Sequence, residues 1–257
     1  MKKLFTLSAI ALFALASCSD DNVTPMAVND NSNVLVKKII ITDAEGTHNY
    51  QLNYDGNHLV DIRTPGGTHE TIVYTGHLIS EWQSFGKQGV ILYKKYFEYS
   101  ADKLVRYIVL NYESGQFQKY NYTNNTDGSI SYALYSGATE TTINNFVHDG
   151  KIYSDKIEIN IPANGTTAAH IATRLFTYDG KNNPFKNVTS FDKIYFATNA
   201  TAITSSENFV SETLTSFGQT QNIRSASYVY NAANFPETAI VTEISSGNQT
   251  TTNYLYN

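Results

Sequence analysis

The sequence contains a single cysteine, Cys18. A disulfide needs two thiols, so the chain holds neither an internal disulfide nor a zinc site built on cysteine pairs. Charged residues make up only 16% of the chain, and the formal net charge is −5. An acidic balance argues against nucleic acid as a partner. No apolar run approaches the roughly 20 residues that a membrane-spanning helix needs.

The N-terminal residues follow the layout of a secretion signal. A basic start is followed by a mainly apolar stretch from Leu4 to Ala16, and small residues precede the cysteine. Leu15-Ala16-Ser17-Cys18 matches the bacterial lipobox. The resemblance implies that residues 1–17 are removed as a signal peptide. It also implies that Cys18 carries acyl chains such as palmitate, which anchor the protein to a membrane.

The residues that follow the cysteine indicate a destination. Ser19-Asp20-Asp21 resembles the acidic export signal with which Bacteroidota send lipoproteins to the outer face of the outer membrane, although a solvated acidic linker is the alternative. Residues 18–33 are mainly polar and include Pro25, so we expect a flexible, lipidated tether. We therefore expect an outer-membrane lipoprotein that is exposed at the cell surface.

From residue 34 to residue 257 the pattern is that of β-strands in a single domain. Tyr50, Leu52 and Tyr54 alternate with polar residues, and so do the isoleucines at positions 157, 159 and 161. Such alternation places one set of side chains on each face of a sheet. Helical patterns are almost absent, so the domain is predicted to be all-β.

An aromatic-x-aromatic unit followed by a turn recurs along this domain. The units close at Tyr54, Tyr74, Tyr99, Tyr122, His148, Tyr178, Tyr230 and Tyr256, with a degenerate copy expected near Tyr195-Phe196. They recur roughly every 25 residues, which is the length of two strands with their turns. Asp-Gly pairs at 55–56, 127–128, 149–150 and 179–180 tolerate the positive φ of tight turns. Each repeat therefore predicts one β-hairpin.

These repeats resemble a known family. Tyr54-Asp55-Gly56-Asn57-His58-Leu59 looks like a degenerate YD repeat of the Rhs type and like hairpin repeats of uncharacterised Bacteroidota surface lipoproteins. The segment from Tyr178 to Phe185 and the motif Asn234-Phe235-Pro236 resemble segments that recur in those lipoproteins. The resemblance implies surface display of a β-meander and supplies no activity.

Consecutive hairpins predict an antiparallel meander of roughly 14 to 17 strands, more than the roughly 10 that open twisted sheets sustain. The sheet is therefore expected to be strongly twisted and curled, and closure as a barrel and folding over as a sandwich both remain open. Lys94, Lys95, Asp155 and Glu158 fall within predicted strands and disfavour a membrane barrel, whose lipid-facing band is apolar.

No catalytic motif and no cofactor signature occurs in the sequence. His48, His58, His69 and His77 are weak candidates for a metal site, and no metal is predicted, because positions on the polar faces of strands or after turns account for them. Asp61, Glu70, Glu81 and Glu98 are candidates for a glycosidase pair, with no spacing that singles out two.

The aromatic residues are the most suggestive feature, with 19 tyrosines and 13 phenylalanines. Trp82, Tyr93, Phe97 and Tyr99 are candidates for binding, because aromatic rows stack on sugars or form protein interfaces. The leading hypothesis is a non-catalytic surface lipoprotein that binds or scaffolds a glycan or an envelope protein. A surface hydrolase acting on polysaccharide or peptide and a structural shell component without a ligand are the alternatives.

Overall fold

The computed structural model describes residues 33–198 and 202–257, which form a closed barrel of sixteen antiparallel strands. Each strand pairs with its neighbours in sequence, and β1 pairs with β16 to close the ring. The predicted all-β meander is confirmed, and of the two predicted outcomes the sheet closes as a barrel. The signal peptide, Cys18, Ser19-Asp20-Asp21 and nearly all of the tether lie outside the described residues.

The strands alternate in direction around the barrel and are joined by hairpin loops. Their bounds are β1 Val36–Asp43, β2 Gly46–Asp55, β3 His58–Arg63, β4 His69–Thr75, β5 Leu78–Phe85, β6 Ile91–Ser100, β7 Lys103–Asn111, β8 Gln116–Asn124, β9 Ile130–Gly137, β10 Asn145–Ile152, β11 Lys156–Ile161, β12 His170–Asn182, β13 Glu207–Ser216, β14 Gln219–Tyr230, β15 Pro236–Glu243 and β16 Gln249–Tyr256. One α-helix, α1 Phe191–Thr198, lies between β12 and β13, and a 3₁₀ turn, Glu140–Thr142, precedes β10.

Each predicted repeat is one hairpin made of an odd-numbered strand and the even-numbered strand after it. We call the end where these hairpins turn the mouth, and the end where one repeat passes to the next the floor. Two predicted turns are wrong, because Asp149-Gly150 lies within β10 and Asp179-Gly180 lies within β12. At Gly150 a Cβ would meet the carbonyl of Glu158 and the ring of Tyr132, so glycine makes room there for a neighbouring ring.

Repeat tyrosines seal the floor. In five hairpins, a tyrosine near the end of the even-numbered strand points into the barrel. Its hydroxyl donates to the backbone carbonyl of a residue near the start of the odd-numbered strand of the same hairpin. These pairs are Tyr54 to Val36, Tyr74 to Leu59, Tyr99 to Ile79, Tyr228 to Phe209 and Tyr256 to Pro236, at 2.8 to 3.3 Å. In the β7–β8 hairpin the side-chain amide of Asn124 binds the equivalent carbonyl, that of Leu104, at 3.3 Å.

Residues 183–198 and 202–206, between β12 and β13, fold into the floor end of the barrel, and we call them the plug. Ser190 accepts a hydrogen bond from the backbone of Ile79 at 3.1 Å, and the backbone of Thr189 donates to Asn57 at 3.0 Å. Helix α1 buries Phe191, Ile194 and Tyr195 against the barrel wall. The expected hairpin copy near Tyr195-Phe196 is therefore wrong, since both residues lie on this helix.

The outer face of the barrel carries polar and charged pairs between neighbouring positions. Arg63 pairs with Asp61 at 2.7 Å, Arg106 with Glu98 at 2.7 Å, and Lys156 with Glu158 at 2.6 Å. The core lies inside, where buried aliphatic and aromatic side chains from the strands meet the plug. Among the described residues, no helix is long and apolar enough to cross a membrane.

Candidate functional site

A polar cluster lies inside the barrel on β4, β5 and β6. Alternation and strand register direct Glu70, Trp82, Tyr93 and Lys95 to the same inner face. The indole nitrogen of Trp82 donates to one oxygen of Glu70 at 2.7 Å, and the hydroxyl of Tyr93 donates to the other. The carboxylate is thus held by two aromatic donors, which fixes its position.

The charge of Lys95 lies over aromatic faces. Its Nζ atom is 4.9 Å from the centroid of the Trp82 ring and 4.8 Å from that of the Tyr93 ring. Burial lowers the pKa of Lys95, and the negative charge of Glu70 partly offsets that effect. Burial also raises the pKa of Tyr93, with the neighbouring Glu70 adding to it, so the phenol remains a hydrogen-bond donor.

Glu70 lines a cavity of about 540 Å³ at the mouth, which we call the mouth cavity. Its other lining residues include hydroxyl, amide, imidazole and ammonium groups, with one phenol ring, from Thr47, His48, Asn49, Tyr50, Thr64, Thr68, Ser84 and Lys87. The volume falls in the range of roughly 300–1,000 Å³ that is common for small-molecule sites. Many polar groups around one aromatic ring match a ligand rich in hydroxyl groups.

A second charged cluster lies on the opposite wall, on β12, β13 and β14. Glu212 is 2% exposed and accepts from Nε of Arg174 at 2.6 Å and from Nε of Arg224. Arg224 also lies 3.8 Å from Glu243. A buried carboxylate that is shared by two guanidinium groups satisfies the requirement that buried charges are paired.

The structure places the four predicted aromatic residues in the lumen rather than in an exposed row. Trp82 and Tyr93 hold Glu70 as described, but neither of them lines the mouth cavity. Phe97 is buried and stacks on Tyr107 at 5.1 Å, and Tyr99 belongs to the floor. A role for these residues in binding stays a prediction, and Trp82 and Tyr93 would act there through Glu70.

The four histidines divide between the two ends of the barrel. His48 and His69 lie at the mouth, with His48 3.8 Å from Asp43 and His69 stacked on Phe85. His58, the first residue of β3, and His77, in the turn between β4 and β5, lie at the floor. Over residues 33–198 and 202–257, no group of three or more histidine, cysteine, aspartate or glutamate residues is arranged to hold a metal.

The four candidate carboxylates lie on different faces of the barrel wall. Of the four, Glu70 faces the lumen, whereas Asp61 and Glu98 pair with arginines outside the barrel and Glu81 shares the outer face. The mouth cavity therefore has one of these carboxylates in its wall, not the facing pair that glycoside hydrolysis requires.

Sequence reasoning missed the Arg174–Glu212–Arg224 cluster. Each of these residues shares a strand face with apolar neighbours, such as Phe176 beside Arg174 and Ala226 beside Arg224. A charged residue on the apolar side of an alternating pattern was the available signal. Finding the partner required the register across three strands.

No family model matches the chain, and no curated protein sequence matches it. The fold is similar to two crystal structures described as porin-like proteins. One, from Bacteroides vulgatus, has 16% identity and a TM-score of 0.56 over 87% of this chain and 99% of its own. The other, from Bacteroides uniformis, has 13% identity and a TM-score of 0.47 over 86% and 96%. The first comparison shows that this chain has the same barrel fold.

Proposed function

We propose that the protein is an outer-membrane lipoprotein whose barrel stands in water and binds a glycan in the mouth cavity. The observation that carries the binding proposal is the set of convergent polar groups around Glu70 and Tyr50. Sugars present hydroxyl groups to carboxylates and amides and an apolar face to aromatic rings. The lipobox at Cys18 and the acidic Ser19-Asp20-Asp21 support the envelope location.

Two features favour a binding cup over a pore in a membrane. The outer face carries ion pairs such as Glu98 with Arg106, where a lipid-facing band is apolar. The plug and the floor tyrosines fill one end of the lumen, which works against passage from end to end. The porin-like neighbour from Bacteroides vulgatus therefore supports the barrel and an envelope location, not transport.

The strand order also supports an orientation. Residue 33 and the start of β1 lie at the floor, because Asn257 at the end of β16 bonds to the backbone of Leu35. The proposed lipid anchor, Cys18, precedes β1 in the sequence, so the chain reaches the barrel at the floor. In the proposed arrangement the floor faces the membrane and the mouth faces away from it, where it meets ligands.

Glycan binding is tested with the mature chain in detergent, using cellobiose, maltotriose and N,N′-diacetylchitobiose as probes. Trp82 is the only tryptophan, so its fluorescence reports occupancy next to Glu70. We expect saturable binding of at least one sugar, weakened about tenfold by Glu70→Gln, as for the loss of a charged hydrogen bond. Glu81→Gln, on the outer face of the next strand, is the matched control. Binding of none of the sugars, or equal effects of the two variants, would count against a glycan site.

The envelope location has its own test. Cys18→Ala is expected to abolish acyl labelling and release the protein from membranes. Replacing Asp20 and Asp21 with alanine is expected to leave acylation intact and to reduce protease shaving of the barrel on intact cells. Unchanged membrane retention of Cys18→Ala would refute the anchor, and unchanged shaving of the double variant would refute the export signal.

A further inference from the structure

A second cavity, of about 270 Å³, lies inside the barrel against β8–β12 and the end of helix α1. We call it the tyrosine cage, because Tyr120, Tyr122 and Tyr132 form one wall. Phe196 of the plug closes one side of it and Arg174 borders the other. It shares no lining residue with the mouth cavity, so it is a separate site.

The three phenol hydroxyls of the cage differ from those of the floor. Five floor tyrosines each donate to a backbone carbonyl, whereas no described residue hydrogen-bonds the hydroxyl of Tyr120, Tyr122 or Tyr132. In this hairpin Asn124 occupies the Leu104 carbonyl, which leaves Tyr122 without the partner that repeat tyrosines use elsewhere. Among the described residues no buried side-chain oxygen or nitrogen lacks a partner, so these three hydroxyls are accessible from the cavity. They are therefore placed to donate to a molecule that enters it.

The cage is otherwise apolar and aromatic. Tyr120 stacks on Tyr122 with ring centroids 6.2 Å apart, and Phe196 meets Tyr122 edge-on at 5.3 Å. Three isoleucines, at positions 152, 157 and 159, form the facing wall. The volume lies just below the roughly 300–1,000 Å³ of ordinary ligand sites, which suits a body no larger than one or two rings.

The polar groups of the cage favour an anion. Burial raises the pKa of Tyr122 and Tyr132 well above its usual range, so their hydroxyls remain donors at neutral pH. Arg174 borders the cage with a positive charge, and its Nε atom donates to Glu212. His148 packs edge-on against Tyr132, with ring centroids 5.7 Å apart.

We propose that the tyrosine cage binds a small organic anion with an apolar or planar body, such as an aromatic or short branched carboxylate. The ring or alkyl part would lie against the isoleucines and Phe196. The carboxylate would accept hydrogen bonds from the phenol hydroxyls and face Arg174. This assignment depends on groups that the glycan proposal does not use.

The charge requirement is tested by calorimetry on the mature chain with benzoate, benzamide and benzylamine. The three probes share one ring and differ in charge, so size and apolar contact are held constant. We expect benzoate to bind at least tenfold more tightly than the other two, with a Kd below about 1 mM. Equal binding of the three probes, or no binding of benzoate at about 10 mM, well above that limit, would overturn the proposal.

Two kinds of variant locate the site. The double variant Tyr120→Phe with Tyr132→Phe keeps both rings and is expected to weaken benzoate at least tenfold, whereas Tyr228→Phe, which removes a floor hydroxyl, leaves it unchanged. Ala197→Phe is expected to fill the cage and abolish binding. Thermal unfolding of each variant confirms that it folds. Unaltered benzoate affinity in the folded double variant would contradict the assignment, and Glu70→Gln should leave benzoate binding intact.

Discussion

The indole nitrogen of Trp82 donates a hydrogen bond of 2.7 Å to Oε2 of Glu70 inside the barrel. The two residues lie on adjacent strands, β5 and β4, and both project into the lumen. A half-buried carboxylate in the lumen wall is held in place by such donors, which replace hydrogen bonds to water. The pair therefore links the stability of the barrel to the wall of the mouth cavity.

Trp82→Phe keeps an aromatic ring and removes the donor. We expect a loss of about 1–3 kcal/mol in the free energy of unfolding, because one oxygen of Glu70 loses its partner. Urea denaturation followed by circular dichroism measures it. Tyr96→Phe, on the outer face of β6, is the control and should change stability by less than about 0.5 kcal/mol. Similar losses in the two variants would mean that the bond is not a stabilising contact.

The floor tyrosines predict sensitivity to alkali. Burial raises the pKa of Tyr99 to about 12, against about 10 for an unfolded tyrosine. A raised pKa in the folded state gives stability that is fully present below the unfolded pKa and is lost as pH rises through the folded value. We expect the free energy of unfolding to fall between pH 10 and pH 12, with a smaller slope in Tyr99→Phe. An identical slope in that variant would exclude Tyr99 as a source of the effect.

Removing the shared carboxylate of the second cluster should be costly. Glu212→Ala leaves Arg174 and Arg224 without their common partner, and we expect a loss of about 3–5 kcal/mol. Glu98→Ala breaks a pair of similar length with Arg106 on the outer face, where water screens the charge. The expected loss there is below about 1 kcal/mol. Thermal unfolding of both variants at one pH compares them, and equal losses would contradict the buried placement of Glu212.

Gly150 tests the packing of the tyrosine cage. An alanine there would bring its Cβ against the Glu158 carbonyl and within 2.8 Å of the Tyr132 ring. We expect Gly150→Ala to destabilise the barrel by about 1–3 kcal/mol or more, as overpacking does. Gly165→Ala is the control, because nothing lies within 4 Å of the added atom. A stable Gly150→Ala variant would show that β10 and β11 move apart easily.

The repeat pattern predicted much of this fold because the repeats have a common physical role. Tyr54, Tyr74, Tyr99 and Tyr256, chosen as the closing residues of the aromatic-x-aromatic units, all reach the floor and bond to backbone carbonyls. Alternation also grouped Tyr50, Leu52 and Tyr54 on one face, which is the inner one. Hairpin pairing is local, so a sequence carries its signal within a few residues.

Other features depend on contacts that are distant in sequence. At β14 the pattern selected Tyr230, whereas Tyr228 makes the floor contact, and Tyr230 bonds to Asp179 instead. Phe191, Ile194 and Tyr195 have helical spacing, but the aromatic pair at 195–196 resembled another repeat. Alternation of apolar and polar residues assigns side chains to two faces of a strand, but it does not show which face is the inner one. Trp82 and Tyr93 were therefore expected on an exposed surface, whereas they project into the lumen. The segments around Asn182 and Asn234, which resemble segments of other lipoproteins, meet in this barrel, where the backbone amide of Asn182 donates to the carbonyl of Asn234 at 3.1 Å.

Pairing of β1 with β16 has a consequence for the order of folding. Leu35 and Asn257 bond to each other although they are 222 positions apart in the chain. Fourteen of the strands pair with the strands directly before and after them in the sequence. By contrast, β1 and β16 each lack one neighbour until they pair with each other. Until synthesis and export deliver the last strand, β1 keeps an open edge, which is a site for pairing with other chains. Closure of the barrel is therefore the step before which a chaperone would protect this protein. A truncated chain without β16 should aggregate, even though its seven other hairpins remain intact.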